Sequence, residues 1–183
     1  MKKLLLILLC LPMIGFGQLG SYYKSKGHSK AKGLNFQIKT PLGFEQKEAD
    51  RPNIVQKWTK GNATFMVMVK NLDQEMRNIP KKDWIDYLKN GSGLSDFTSE
   101  IPNVSNTKYY VLDNYPGTYH EMWMDMERND MSIRVYMAQA SVLLEEHMFI
   151  LQLTGGSKEE LSEYSKLFYL MGNSVIFPAQ YGN

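Results

Sequence analysis

The side chains best suited to chemistry are methionines at alternate positions of one predicted strand. Met122, Met124 and Met126 occupy every second position, and His120 precedes them at the same spacing. Because successive side chains of a strand point to opposite faces, these four share one face. Thioether sulfurs bind Cu(I), so in an exported chain this face could hold that ion. The alternative, which the alternation favours, is that these methionines fill the space between a sheet and its covering helices.

The opposite face of the same strand offers a candidate recognition surface. Tyr119, Glu121 and Trp123 alternate there, and Arg134 and Tyr136 follow on the next predicted strand. Arg134 can pair with a carboxylate across the hairpin. Aromatic rings beside a cation and carboxylates can stack against a ligand or anchor a partner. We call Tyr119, Glu121, Trp123, Arg134 and Tyr136 the recognition surface.

The histidines and serines do not form a recognisable catalytic or zinc motif. His28, His120 and His147 share no ligand spacing, so zinc would need residues gathered from distant parts of the chain. Ser92 and Ser95 lie in a glycine-rich segment that lacks the Gly-x-Ser-x-Gly elbow. We therefore predict no catalytic residue, no cofactor and no enzymatic activity. An enzyme would require a pocket that gathers His120 or His147 with a carboxylate and one of these serines.

Three long antiparallel strands must position these side chains. They span Thr118–Arg128, Met131–Leu143 and His147–Thr154, with polar turns at residues 127–130 and at Glu145-Glu146. A helix follows, because Ser157 and Glu160 form a capping box and apolar residues then repeat at helical spacing as far as Gly172. This helix is expected to cover one apolar face of the sheet.

The remaining elements precede or follow this core. Ala63–Lys70 is apolar on both faces, which predicts a central strand paired with Ile54–Lys60 through the turn Gly61-Asn62. The other predictions are a strand at Leu34–Thr40, a helix at Pro80–Asn90, a loop at Gly91–Asn103, a strand at Val104–Asp113, a turn at Asn114–Gly117, and a short strand or packed tail at Val175–Phe177.

The chain starts with a pattern typical of a secretory signal peptide. Lys2 and Lys3 precede an apolar run, and Gly15 and Gly17 occupy the small-residue positions before a cleavage site. The apolar run is too short for a transmembrane segment. Cys10 is the only cysteine, so a chain cut after residue 17 has none. The absence of cysteine excludes disulfides and thiolate chemistry. The signal-peptide pattern predicts a periplasmic or extracellular protein.

The domain prediction is residues 1–17 as signal peptide, 18–33 as a flexible basic lead-in, and 34–183 as one domain. The lead-in carries four lysines and no acid: Lys24, Lys26, Lys30 and Lys32. Such a segment could touch anionic lipid or an acidic partner, or serve only as a solvated linker. Nucleic acid is not expected as a partner, because no basic face with interleaved aromatics is visible.

The order of elements and their turn signals resemble a known group of extracytoplasmic domains. Pro-Leu-Gly-Phe (Pro41–Phe44) ends the first strand, Asn-Tyr-Pro-Gly (Asn114–Gly117) leads into the long strands, and Ser-Val-Ile-Phe (Ser174–Phe177) follows the last helix. In these respects the chain is similar to the PsbP-like and DcrB-like domains over roughly residues 34–177. The resemblance implies an α+β fold, an antiparallel sheet with helices packed on its faces (an α/β/α sandwich). It also implies accessory, assembly or chaperone-like roles and brings no catalytic residue.

Together these observations predict an exported, non-enzymatic binding or accessory protein of the cell envelope, with a protein partner whose identity stays open. The alternative is a carrier of a small ligand or of Cu(I) that uses the methionine-rich or the aromatic sheet face.

Overall fold

The fold is built on an antiparallel sheet of seven strands in the order β3-β4-β5-β9-β8-β7-β6, with a two-stranded ribbon of β1 and β2 beside it. The computed structural model describes residues 18–89, 103–128 and 131–182. The strands are β1 (Leu19–Lys24), β2 (Gln37–Pro41), β3 (Glu45–Lys47), β4 (Ile54–Lys60), β5 (Ala63–Asn71), β6 (Asn103–Leu112), β7 (Tyr115–Arg128), β8 (Met131–Leu143) and β9 (His147–Gly155). The helices are α1 (Gln74–Arg77), α2 (Trp84–Lys89) and α3 (Lys158–Gly172), with 3-10 turns at Ser29–Ala31, Lys81–Asp83 and Pro178–Tyr181. This is the predicted α+β architecture.

One face of the sheet is covered by α3 and by the β1–β2 ribbon. The Ser157 hydroxyl accepts a hydrogen bond from the Glu160 amide at 3.1 Å, and the Glu160 carboxylate accepts one from the Gly156 amide at 2.8 Å. This reciprocal capping fixes the start of α3. The apolar side of α3 presents Leu167, Phe168 and Met171. These residues belong to one core cluster with Phe36 and Ile38 near the ribbon and with Phe65, Ala140 and Leu151 of the sheet.

The other face is covered where α2 lies over β7 and β8. Trp84 is 8% exposed, and its indole donates a hydrogen bond to the Ile79 carbonyl at 2.9 Å. It packs in a second cluster with Met68, Met148 and Ile150 from the sheet. Strand β5 therefore has buried residues on both faces and lies between β4 and β9, as predicted for a central strand.

Strands β7 and β8 extend beyond their described neighbours. Pairing with β6 ends at Trp123, which lies opposite Asn103, and pairing with β9 ends at Tyr136, which lies opposite Gly155. Residues 124–128 and 131–135 are paired only with each other in the part of the chain that the structure describes. This two-stranded extension, which we call the ribbon tip, carries Arg134 of the recognition surface past the ends of the neighbouring strands.

The structure corrects the predicted turn at Asn114–Gly117. Asp113 and Asn114 both have positive φ, 45° and 69°, as a two-residue type I′ hairpin requires. Strand β7 therefore begins at Tyr115, three residues earlier than predicted. Gly117 lies inside that strand, where a Cβ would collide with the Ser141 carbonyl oxygen. It permits a close approach of two strands and is not a turn residue.

The structure also contradicts the prediction that residues 18–33 form a flexible lead-in. Residues 19–24 form β1, which pairs antiparallel with β2, and Ala31 is 1% exposed in the main core. The Tyr23 ring packs edge-on against Trp58, with centroids 5.9 Å apart. The sequence did not indicate this packing, because the apolar residues of the segment are few and are spaced too widely to show the two-residue period of a strand.

Two further predictions differ from the structure in detail. The helix predicted at Pro80–Asn90 is a 3-10 turn followed by α2, and Ile176 makes one bridge to Gln37 between the buried Val175 and Phe177, so that segment is a packed tail. The loop predicted at Gly91–Asn103 lies outside the described residues except for Asn103, as do the signal peptide and turn residues 129–130. Among the described helices, none combines the length and hydropathy that a membrane crossing requires.

Candidate recognition groove

A groove of about 310 Å³ lies between the start of α3 and strands β7 and β8. Its sheet wall is formed by Tyr119, Glu121, Trp123 and Tyr136, and its helix wall by Lys158, Leu161, Ser162 and Ser165. The helix residues follow the spacing i, i+3, i+4 and i+7, which places them on one side of α3. The groove exists because β9 ends at Gly155, whereas β7 and β8 continue past it. We call it the recognition groove.

Arg134 lies beside this groove and is held in place by three neighbours. Its Nε and Nη2 donate to the two carboxylate oxygens of Asp125 at 2.7 and 2.8 Å, and its guanidinium lies 4.0 Å from the centre of the Trp123 ring. Hydrogen bonds to Asp125 and to Tyr136 raise the pKa of Arg134, and the guanidinium lowers the pKa of Asp125. The cation is therefore oriented before any partner arrives, although nearly half of its side chain is exposed.

Tyr119 is a buried aromatic residue in the wall of the groove. Its ring is stacked on Tyr169 with centroids 5.4 Å apart and meets Phe168 edge-on at 5.7 Å. Its hydroxyl donates a hydrogen bond to Glu121 Oε1 at 2.8 Å. Burial, followed by this hydrogen bond, raises the pKa of Tyr119, so the phenol stays neutral. The pair places one oriented carboxylate at the floor of an aromatic groove.

The structure thus brings the recognition surface together. Tyr119, Glu121, Trp123 and Tyr136 line the groove, and Arg134 flanks it through its contact with Trp123. Sequence reasoning missed the helix wall. The spacing of Lys158, Leu161, Ser162 and Ser165 shows one common helix face, but the sequence does not reveal which strands that face meets.

The methionine face is divided into a buried and an exposed part. Met122 and Met124 are 3% and 8% exposed and pack with Met137, whereas Met126 at the ribbon tip is 38% exposed. His120 is 1% exposed, and its two ring nitrogens lie 3.1 and 2.9 Å from the hydroxyls of Thr107 and Thr118. The packing interpretation thus has direct support at Met122 and Met124.

A row of buried polar side chains on this face was not foreseen. Gln152 donates to Gln139 Oε1 at 2.9 Å, and Gln139 donates to Ser141 Oγ at 3.0 Å. His120, Gln139 and Gln152 face one another across β7, β8 and β9. Such hydrogen-bonded contacts inside an apolar face favour one strand register. The signal in the sequence was a polar residue at an inward position of each strand, but only the pairing shows that they meet.

The other two histidines lie away from the groove. His147 Nε2 is 3.0 Å from the Lys32 carbonyl oxygen, and His28 Nδ1 accepts a hydrogen bond from the Lys30 amide at 3.3 Å. Among the described residues, no group of three His, Cys, Asp or Glu side chains is arranged to hold a metal ion. Ser92 and Ser95 lie outside the described part of the chain.

Comparison with known proteins identifies the fold. No protein-family model matches the sequence, and no curated protein matches it at a significant level. The solution structure of cyanobacterial PsbP (CyanoP) from Synechocystis sp. PCC 6803 is similar, with a TM-score of 0.51 and 9% identity over 86% of this chain and 91% of that chain. A protein of unknown function from Pseudomonas aeruginosa, PA94, gives a TM-score of 0.50 and 10% identity over 86% of this chain and 97% of that chain. The chain therefore has the PsbP-like/DcrB-like fold that its element order predicts.

Proposed function

We propose that this protein is a non-enzymatic binding or accessory protein of the cell envelope that holds a protein partner in its recognition groove. The observation that carries the proposal is the oriented Arg134 cation beside the partly exposed Trp123 and Tyr136, which line a preformed groove. Export is part of the proposal and is supported by the signal-peptide pattern of residues 1–17.

The composition of the groove favours a protein partner. Tryptophan, tyrosine and arginine are the residues most often found as energetic anchors of protein interfaces. Here all three are present within one surface, and the Arg134 side chain is already fixed by Asp125 and Trp123. A preorganised side chain loses little conformational entropy on binding, so more of its contact energy appears as affinity.

The exposed end of the same hairpin adds apolar area on the face opposite to the groove. Met126, Met131 and Ile133 at the ribbon tip are 38%, 59% and 41% exposed. They alternate with Asp125 and Arg134, so the ribbon tip offers an apolar side and an ionic side. A partner that grips the hairpin would bury both.

Photocrosslinking in cells tests this proposal. A photoreactive amino acid at Tyr136 should give a discrete crosslinked protein, and the same substitution at Tyr22, an exposed tyrosine on β1, should not. Trp123→Ala and Arg134→Ala should each remove the Tyr136 crosslink, because they remove the anchors beside it. Equal crosslinking at both positions, or a Tyr136 crosslink that survives both substitutions, would contradict partner binding in the groove.

The non-enzymatic part of the proposal rests on how the groove's polar groups are used. Glu121 accepts a hydrogen bond from the Tyr119 hydroxyl. The three histidines lie among the described residues but do not line the groove. Detection of substrate turnover that Glu121→Gln abolishes would overturn this part.

A small ligand in the same groove is the second candidate. The volume of about 310 Å³ lies at the lower end of the range typical of ligand pockets. An amphipathic ligand should then raise the melting temperature of the wild-type protein but not of Trp123→Ala. The same melting experiment with Cu(I), comparing wild type with Met122→Leu/Met124→Leu, tests the copper alternative separately.

A further inference from the structure

The loop between β1 and β2 forms a second concavity, remote from the recognition groove. Its volume is about 250 Å³, and its polar lining includes Ser25, Gly27, His28, Ser29, Gly33 and Asn35. The loop is held in shape from within, because Ser25 Oγ donates to the Leu34 carbonyl at 2.9 Å and accepts from the Phe36 amide at 2.8 Å. The shape of the concavity is therefore stabilised by hydrogen bonds within the loop.

The lining of this concavity is rich in donors. His28 Nδ1 accepts the Lys30 amide hydrogen bond, which leaves the ring proton on Nε2 as a donor. Gly27 and Gly33 have φ of 80° and 90°, and nothing lies within 4 Å of the position that a Cβ would take on either. A ligand can therefore approach the backbone of both glycines closely, as anion-binding loops require. The Ser29 hydroxyl adds a further donor.

The charge carried by the loop itself is positive. From Gln18 to Phe44 the sequence has no aspartate or glutamate, while residues 24–32 contain four lysines. Lys30 donates to the Ala49 carbonyl, and Lys32 donates to Asn53 Oδ1 at 2.7 Å, so both use neutral acceptors. Asp50, in the segment that these lysines contact, is bonded to Lys57 at 3.2 Å. Lys24 and Lys26 are exposed and lie on either side of the lining residue Ser25 in the sequence, and we call them the rim lysines.

We propose that the β1–β2 loop binds a phosphoryl group. A phosphoryl oxygen cluster matches the small size of the concavity, the side-chain donors of His28 and Ser29, the open approach at Gly27 and Gly33, and the lysine charge of the loop. The ligand is either a soluble phosphate or the headgroup of an anionic lipid.

The position of this site suits a protein that binds at two ends. The Lys32 carbonyl lies next to His147 at the start of β9, while the recognition groove lies at the end of β9 beside Gly155. Nine residues of strand separate the two ends, a distance of about 27 Å. An anionic surface and a protein partner can thus be contacted together without competing for space.

The test compares wild type with Lys24→Gln/Lys26→Gln and with the matched control Lys82→Gln/Lys166→Gln, which removes two exposed lysines elsewhere. Amide NMR with inorganic phosphate and co-sedimentation with phosphatidylcholine vesicles, with and without phosphatidylglycerol, provide the two readouts. We expect saturable shifts at residues 27–33 or binding only to the anionic vesicles. Lys24→Gln/Lys26→Gln should weaken the affinity for phosphate or for the anionic vesicles by about tenfold or more. The control variant should leave that affinity unchanged.

The two readouts separate the two sources of the phosphoryl group. Shifts with inorganic phosphate assign a soluble phosphate, and binding confined to anionic vesicles assigns a lipid headgroup. Absence of both responses in the wild type, or equal losses in the rim variant and the control, would overturn the proposal. Neither result bears on the recognition groove, since Tyr136 crosslinking reports on that site independently.

Discussion

Arg134 is the residue on which the recognition surface depends most. It joins Trp123, Asp125 and Tyr136 across two strands through stacking and charge-assisted hydrogen bonds. The sequence placed Arg134 opposite a carboxylate but did not reveal which one. The strand register decides this, because Arg134 lies directly across from Asp125.

The lowered pKa of Asp125 gives a prediction for acid conditions. The hydrogen bonds from Arg134 lower that pKa in the folded protein, so the ion pair contributes stability above the ordinary aspartate pKa and loses it as the pH falls through the folded value. Carboxyl NMR titration should show Asp125 titrating below its ordinary value in the wild type and near it in Arg134→Gln. An unchanged Asp125 midpoint would contradict the pairing.

Tyr110 gives the opposite prediction for alkaline conditions. Its buried hydroxyl has no hydrogen-bond partner among the residues described, and burial raises its pKa to about 12. Tyr110 therefore gives the fold no pH dependence below about pH 10, and stability falls as the pH rises from 10 toward 12, because the phenol ionises more readily in the unfolded chain.

Tyr110→Phe removes the unsatisfied hydroxyl and should stabilise the protein by about 1 kcal/mol at neutral pH. Thermal melts from pH 8 to 11 should also show a smaller loss of stability at high pH than in the wild type. Tyr109→Phe, on the 60% exposed neighbour, should change neither property. Destabilisation by Tyr110→Phe at neutral pH would mean that the hydroxyl has a bonding role.

At the scale of elements, the end of α3 is fitted closely against β6. A Cβ on Gly172 would collide with the Tyr110 hydroxyl oxygen and lie 3.4 Å from Leu112 Cδ2. The sequence identified Gly172 as the end of a helix. It did not show that a strand passes there, so the packing role of this glycine came only from the structure.

A double-mutant cycle tests this contact. Gly172→Ala should destabilise by about 1–3 kcal/mol from overpacking, partly offset by the better helix propensity of alanine. In the Tyr110→Phe background most of this cost should disappear, because the colliding oxygen is gone. Denaturant unfolding of the four proteins measures the coupling, and additive effects would show that Gly172 and Tyr110 do not constrain each other.

The strands of the central sheet were predictable to different degrees. Met131–Leu143 was predicted with its observed bounds, since a long alternating segment between polar turns has few other folds. The start of β7 was predicted three residues too late, because Asn-Tyr-Pro-Gly suggests a turn over residues 114–117. The observed turn is formed by the two positive-φ residues Asp113 and Asn114. A turn signal thus locates a turn only to within a few residues.

At the scale of the whole molecule, the sequence predicted the sheet and its covering helix better than the surroundings of the candidate site. The aromatic face of β7 followed from period-two alternation, which is a local property. The groove opposite it depends on where β9 stops relative to β7 and β8, and on which side of α3 faces the gap. Those are long-range relations, and a single sequence carries no direct signal for them.

The role of residues 18–33 in the whole fold leads to the last prediction. Leu19 and Tyr23 pack against the main core and Ala31 lies within it, so a chain that begins at Leu34 loses buried apolar area and the partner of β2. We expect it to be less stable than a chain that begins at Gln18 by at least about 3 kcal/mol in denaturant unfolding. Lys24→Gln/Lys26→Gln should stay within about 0.5 kcal/mol of the wild type, because its exposed charges contribute little to folding. Equal stability of the chains beginning at Gln18 and Leu34 would show that β1 is dispensable, and the anchoring role of Tyr23 and Ala31 would then have to be abandoned.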